Sequence, residues 1–333
     1  MDMSKTGLKC TRVLLSSLRP QPARAYATSQ HNTRASASAG PVATKSDIEY
    51  CRQLVQRSDY DNYLVSLFSP RLAREAAWAI RALNIELVHI GQAATNPTAA
   101  QMRYAFWHGA INDIYKGQPA HMPVARAVHD AVHRFGISKT WVRRLVSERE
   151  KRLDNGGFEA IADVEKYGEK AFACLIHPHL EALGVRDMHA DNAARAIGQA
   201  TAIAGFARAL PMSLRERRCD LPRELLAKHK VDLDDLFENP RPTVELQEAV
   251  FEFATKGYTR LCGVAELYTP NSPKEGFPAL LTAVPVKDWL ERLEKADFNV
   301  FDPRLQQRTL KLLWHLWQAN RKGTWISQTN IKH

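Results

Sequence analysis

The sequence predicts an all-α fold, a helical bundle, and three observations carry that prediction. From Ser46 onward apolar residues recur at spacings of three and four, the period of a helix with one buried face. The interruptions fall at Pro, Gly or Asn, which end helices or turn the chain. No segment reads as a convincing strand.

Taken in order, Ser46-Asp47 is expected to cap a helix running through Leu67, because a short polar side chain can accept from the unpartnered N–H groups of a first turn. Ser69-Pro70 opens the next, with proline accepted where its missing N–H has no partner to lose. The same periodicity places helices at 98–115, 122–135, 138–152, 162–183 and 190–210, then at 221–229, 243–269, 286–295 and 303–320. Only Tyr268 to Gly276, with Pro270 and Pro273 beside Asn271 and Ser272, has the composition of a loose linker. No repeat of fixed period is visible, so residues 46–333 are expected to form one helical domain, larger than the usual domain size.

The chain has 333 residues and a formal charge of +10, and the charge is unevenly placed. Residues 1–45 hold seven Lys or Arg against Asp2 alone, so most of the excess lies there and the body is close to neutral. That distribution argues against a nucleic-acid partner. The segment is rich in Arg and Ser, and Val13, Leu14, Leu15 and Leu18 fall on one face of a short basic helix. This is the composition of a mitochondrial transit peptide and linker, with cleavage expected after Tyr26 in the run Arg24-Ala25-Tyr26-Ala27. No stretch is long and apolar enough to cross a bilayer. The five cysteines are scattered with no C-x-x-C pair and read as reduced structural thiols.

Standard catalytic signatures are missing from the chain, including G-x-S-x-G, H-E-x-x-H and the Walker sequence. His177-Pro178-His179 and the acid cluster Asp232, Asp234 and Asp235 read as structural, the latter as a helix N-terminus. Two helices are more informative. In the first, Ala76, Ile80, Leu83, Leu87 and Ile90 make one apolar face while Trp78, Ala82, Ile85 and His89 make a second, so burial on both sides is expected. The second, Ile197 to Leu210, is small and apolar nearly all round, with Gly198 and Gly205 expected to permit close approach of neighbours. Arg208 at its end must find a partner or reach solvent.

These two helices, in this order and separation, resemble the phytoene and squalene synthase family, whose fold is an isoprenoid-synthase-like bundle around a central cavity. The first motif aligns with Ala82-Leu83-Asn84-Ile85-Glu86-Leu87-Val88-His89, the second with Ala207-Arg208-Ala209-Leu210-Pro211-Met212-Ser213, which continues through Arg215, Arg217 and Arg218 to Leu221-Pro222. In the active enzymes of that family, aspartates four apart on each helix hold magnesium against a prenyl diphosphate, since a hard cation takes oxygen ligands. Here those positions are Ile85 and His89 on one helix and Ala209 and Ser213 on the other. Glu86 falls on a non-ligand position, Arg208 matches an arginine beside the diphosphate, and Pro211 is expected to end or kink the helix where its ligands would point. The resemblance therefore implies a vestigial pocket with no catalytic residue, no metal and no cofactor.

Asp59-Tyr60-Asp61-Asn62-Tyr63-Leu64, Glu148-Arg149-Glu150-Lys151, Phe277-Pro278-Ala279-Leu280 and Phe301-Asp302-Pro303 further resemble a mitochondrial branch of this family whose members assist assembly of complex I. That resemblance implies a peripheral protein on the matrix side of the inner membrane, with complex I subunits or assembly intermediates as partners and a membrane-embedded quinone-module subunit as the object of its action. The alternative is an isoprenoid or lipid binding protein, or a divergent prenyl-transferring enzyme, in which Arg208, Arg215, Arg217 and Arg218 grip an anionic head group. One element suits membrane contact: Leu310, Leu313, Trp314 and Trp317 share a helical face with Arg308, Lys311, Arg321 and Lys322 around it and Trp325 beyond. Packing of that face against the bundle is the stronger expectation.

Overall fold

The computed structural model describes residues 43–93, 96–154 and 156–326. The expected transit segment and its cleavage site lie outside the described residues, apart from the last few positions before the first helix. The helices are α1 Lys45–Ser58, α2 Tyr60–Ser66, α3 Arg71–Ala93, α4 Pro97–Tyr115, α5 Pro123–Phe135, α6 Lys139–Lys151, α7 Ile161–Ala171, α8 Ala173–Ala182, α9 Met188–Arg215, α10 Arg223–Lys228, α11 Leu233–Glu238, α12 Val244–Gly263, α13 Phe277–Leu280, α14 Ala283–Lys295 and α15 Leu312–Lys322. No strand occurs among the described residues.

Most helices start where the sequence signals a start. Pro97, Pro123 and Phe277-Pro278 sit in first turns. Thr243 caps α12 by accepting from Leu246 N at 3.2 Å. At α1 the cap lies two residues before the expected one: Thr44 Oγ1 accepts from Asp47 N at 3.2 Å while Asp47 Oδ2 accepts from Thr44 N at 2.9 Å, a reciprocal capping box. Asp47 is buried and also takes both arms of Arg126 from α5 at 2.5 and 2.9 Å, which holds its carboxyl down at about 2.

The helix expected over 243–269 is α-helical only to Gly263 and continues as a π-helix over Val264–Tyr268, and four further expected helices differ for a tertiary reason. The helix expected from 46 to 67 breaks at Asp59, whose φ of −140° and ψ of 56° leave the helical region while its carboxylate pairs with Arg81 at 2.8 Å. The helix expected over 162–183 divides at Phe172 into α7 and α8, and the Phe172 ring lies under the Arg149 guanidinium, 4.9 Å from it. The helix around Pro211 does not end there but continues to Arg215, since Leu210, Ser213 and Leu214 are all buried and their packing outweighs the roughly 3 kcal/mol an interior proline costs. Residues 303–320 form a 3₁₀ turn at Pro303–Gln306 and then α15; between them Arg292 Nη1 donates to the carbonyls of Arg304 and Gln307, both at 3.1 Å, drawing them out of any helical ladder.

The apolar side chains gather into two clusters. One is built by α1, α3, α4, α5 and α6, the other by α2, α7 and α9 to α15. Helix α8 belongs to both, with Cys174, Leu175 and Ala182 facing the first and Ile176 and Leu180 the second. Pro178 is tolerated within it because nearly every residue of α8 is buried. Helices α3 and α9 therefore lie where the two clusters meet, and the space left between them is the central cavity.

Two glycines show how tightly α9 is seated. A Cβ on Gly198 would lie 2.7 Å from Ala173 N and 2.8 Å from Gly168 O, so α7, α8 and α9 touch backbone to backbone there. Gly205 behaves differently from the expectation: nothing lies within 4 Å of its Cβ position, and it faces the cavity. Of the cysteines, Cys51, Cys174 and Cys219 are free, and burial raises their thiols to about 12, 12 and 11. Cys262 departs from the expected reduced state, being disulfide-bonded.

Candidate functional site, a cavity between two central helices

Helix α3 presents Arg81, Asn84, Ile85, Val88 and His89 to a cavity of about 390 Å³, and α9 presents Thr201 and Gly205 across from them. The turn between α1 and α2 closes one side with Ser58, Asp59 and Asn62, while Phe172, Leu175 and Ile176 form an apolar floor. Among the described residues, Arg81 is the arginine fixed deep in this wall, with a side chain only 5% exposed. It donates to Asp59 Oδ2 at 2.8 Å, and a longer contact of 3.4 Å joins it to Thr282 Oγ1. Nearby, His179 is buried against Ser69 Oγ at 2.8 Å; burial and then the Arg81 charge push its imidazole down to about 3, so it is neutral in the fold.

One turn further along both helices lies a second, larger cavity of about 690 Å³, which shares Val88 with the first. Ala209, Met212 and Ser213 of α9 line it together with Tyr104, Tyr167, Arg149, Arg152 and the ion pair of Glu216 with Arg218. Arg149 is held by neutral groups, donating from Nε to Asn84 Oδ1 at 2.9 Å and from Nη1 to the Tyr167 hydroxyl at 2.7 Å. Arg152 lies against the rings of Phe158, Tyr167 and Phe206 and pairs with Asp220 at 2.5 Å.

The four positions that the family resemblance sets against metal ligands are divided between the cavities. Ile85 is 5% exposed and His89 is open to solvent, both on the first cavity; Ala209 is exposed and Ser213 is buried, both on the second. His89 corrects the expectation of full burial on both faces of α3. Glu86, the remaining acid of this stretch, lines neither cavity but an open recess with Ile90, Met102, Phe106 and Trp107, which His89 and Arg103 also border. Burial raises its carboxyl to about 7. Among the described residues no group of three or more His, Cys, Asp or Glu is placed to hold a metal ion.

The family model for squalene/phytoene synthase matches residues 55–314. The chain belongs to the squalene/phytoene synthase family. Two curated relatives are similar over most of their length: the complex I assembly factor 6 of Rattus norvegicus is 34% identical over 287 residues, covering 86% of this chain and 85% of its own, and that of Homo sapiens is 33% identical over 289 residues, covering 87% and 86%. A crystal structure of a dehydrosqualene synthase in complex with ligand superposes with a TM-score of 0.73 at 16% identity, covering 83% of this chain and 96% of that one. The fold is accordingly the all-α isoprenoid synthase bundle.

Within this squalene/phytoene synthase scaffold, the arginines do not gather as the sequence suggested. Arg208 is 40% exposed and leans to Asp61 of α2 at 3.6 Å, so it both finds a partner and reaches solvent. Burial raises the Asp61 carboxyl, against the opposing pull of Arg208. Arg215 is exposed, and Arg217, at φ 53°, lies over the Phe237 ring 5.7 Å away. Only Arg218 of the four lines a cavity. Beside Arg218 the cavities hold three cations that sequence reasoning missed, Arg81, Arg149 and Arg152; Arg149 stood inside a quoted motif, but its aromatic and amide partners come from α3, α7 and Phe172 and leave no local trace.

The C-terminal face also differs from the stronger expectation. Leu310 is 97% exposed and Leu313, Trp314 and Trp317 are 49%, 55% and 43% exposed, so this face does not pack on the bundle. Trp325 does: it is buried and stacks on Phe277 with ring centroids 6.0 Å apart.

Proposed function

We propose that this chain is an assembly factor for mitochondrial respiratory complex I, built on a squalene/phytoene synthase scaffold that no longer performs prenyl-diphosphate chemistry. Its substrate of action is a membrane-embedded subunit of the quinone module early in biogenesis, and its partners are complex I subunits or assembly intermediates. The similarity to curated complex I assembly factors across more than four-fifths of both chains carries the assembly reading. The loss of chemistry rests on the positions themselves. An isoleucine, a histidine, an alanine and a serine at 85, 89, 209 and 213 offer no carboxylate, and magnesium bridging a diphosphate needs several hard oxygen ligands.

The proposed location is the matrix face of the inner membrane, held peripherally. No helix among the described residues is long and apolar enough to cross a membrane. Residues 1–45 are the proposed import segment and linker, with 46–333 the functional unit. A fusion of residues 1–40 to a fluorescent protein should enter mitochondria; diffuse cytosolic signal would exclude the import segment.

Affinity purification of the tagged chain from mitochondria is expected to recover complex I subunits that are not yet part of the mature enzyme. Recovery of none would contradict the assembly role. For the chemistry, the purified protein with magnesium and farnesyl or geranylgeranyl diphosphate should release no diphosphate, and sustained release would contradict the loss of catalysis.

A second reading is favoured by one observation, the retained cavities of about 390 and 690 Å³. The larger holds Arg149 between neutral partners, Asn84 and Tyr167, while Arg152 pairs with Asp220 and Arg218 with Glu216, so Arg149 is the cation there that an anionic lipid or isoprenoid head group could meet without metal. Native mass spectrometry of protein recovered from mitochondria discriminates, because a retained ligand mass supports this reading and an empty protein removes it.

A further inference from the structure

Helix α15 is apolar on two sides. Leu312, Leu316 and Ala319, spaced four and three apart, are buried in the larger apolar cluster and seat the helix. Leu313, Trp314 and Trp317 point the other way, and Leu310 precedes them almost fully exposed. The two outer indoles stack with centroids 4.9 Å apart, and the Arg321 guanidinium lies over Trp317 at 5.4 Å. Both ends of the helix are fixed: His315 contacts Asp288 of α14 at 3.1 Å, and beyond Gly323, at φ 67°, the chain turns inward so that Trp325 and Ile326 are buried. The outer face is thus a preformed surface, presented by a helix that the core already holds.

Charge identifies what covers it. From Pro303 to Ile326 the chain carries Arg308, Lys311, Arg321 and Lys322, together with Arg304, which pairs with Asp302, and no Asp or Glu; Asp288 of α14 meets the inner side of α15 through His315. Lys311, Arg321 and Lys322 are exposed beside the apolar patch. An aromatic and aliphatic face flanked by cations matches the interfacial layer of an anionic bilayer, where indoles sit at head-group depth and each cation is drawn to the surface potential.

We infer that the exposed face of α15 is a lipid-docking surface that binds anionic phospholipid and orients the protein on the membrane. The inference gives the proposed peripheral attachment its site and is independent of the role in complex I assembly. Docking inserts Trp314, Trp317 and Leu313 into the interface and sets Lys311, Arg321 and Lys322 against phosphate.

The test is sedimentation of the purified full chain with vesicles of phosphatidylcholine alone or containing cardiolipin, together with quenching of tryptophan fluorescence by brominated lipid. Wild-type protein should bind the anionic vesicles, more weakly as salt rises. Trp314→Ser with Trp317→Ser should lower the partition coefficient by about tenfold or more, since two half-exposed indoles lose their burial in lipid, and should remove most bromolipid quenching. The basic N-terminal segment is common to both proteins, so the difference reports on α15. Lys311→Gln with Lys322→Gln should cost about fivefold per charge on anionic vesicles and nothing on neutral ones. Both pairs are exposed, and an unchanged thermal transition shows that they fold. Equal binding and quenching by wild-type and Trp variant would overturn the inference, as would absence of vesicle binding, or a wild-type dimer that the Trp variant dissolves without any lipid effect. A failed complex I assay with intact vesicle binding would instead refute only the assembly role.

Discussion

Replacing Gly198 with alanine tests whether the centre of the fold is organised as described. The new methyl would stand 2.7 Å from Ala173 N, 2.8 Å from Gly168 O and 3.0 Å from Ala173 Cβ. The first two are main-chain atoms of α8 and α7 and cannot rotate aside, so whole helices must separate by several tenths of an ångström. Overpacking of this kind costs about 1–3 kcal/mol. Better helix propensity returns at most about 1 kcal/mol, because Gly-to-Ala in a helix interior is otherwise favourable. A net loss of about 1–2 kcal/mol should lower the Tm by roughly 2–8 °C in a body of this size. The internal control is Gly205→Ala on the same helix, where no atom lies within 4 Å and only the propensity gain of about 0.5–1 kcal/mol remains. Calorimetry or thermal circular dichroism should therefore show Tm shifts of opposite sign. Equal shifts, or a neutral Gly198→Ala, would refute the close backbone contact of α7, α8 and α9.

Glu86→Gln should have a pH-dependent effect. Burial raises the Glu86 carboxyl from 4.5 to about 7, so the folded protein binds more protons than the unfolded chain between those values, and the group's favourable share is complete below 4.5 and lost as pH rises through 7. The glutamine variant should match wild type near pH 4 and exceed it by about 1–3 kcal/mol at pH 8 in denaturant unfolding; a pH-independent difference would contradict this. Arg81→Met should destabilise by about 3 kcal/mol by stranding Asp59, while Arg81→Met with Asp59→Asn should regain most of that loss, measured as a double-mutant cycle.

Much of this architecture was legible in the sequence because it depends on periodicity. Helix α3 announced itself through Ala76, Ile80, Leu83, Leu87 and Ile90, every one of which is buried. The proline-led starts of α4 and α5 were marked locally as well. The breaks at Asp59 and Phe172 were not, since neither residue is a helix breaker and each is displaced by partners far along the chain, Arg81 for one and Arg149 for the other. Pro211 misled in the opposite sense: a local rule predicted an end, and burial of Leu210 and Leu214 overrode it.

The candidate site shows the same limit. The resemblance singles out Ile85, His89, Ala209 and Ser213 by register and leaves Glu86 on a non-ligand position; each of the four lines one of the two cavities. Register could not reveal that these four positions are divided between two cavities, or that Arg81 and Arg149 hold the polar walls through Asp59, Asn84 and Tyr167. Those contacts join residues between 18 and 65 positions apart in the chain. For α15, the alternation of inward Leu312 and Leu316 with outward Leu313, Trp314 and Trp317 gives apolar residues all round, a pattern that sequence alone cannot divide into core and surface.

The central claim is that the scaffold acts in complex I biogenesis without prenyl chemistry, and native gel electrophoresis of mitochondria from a null line addresses it most directly. Loss of mature complex I, accumulation of early subassemblies and recovery on re-expression of the intact chain are the predicted results. Normal complex I in the null line would contradict the account.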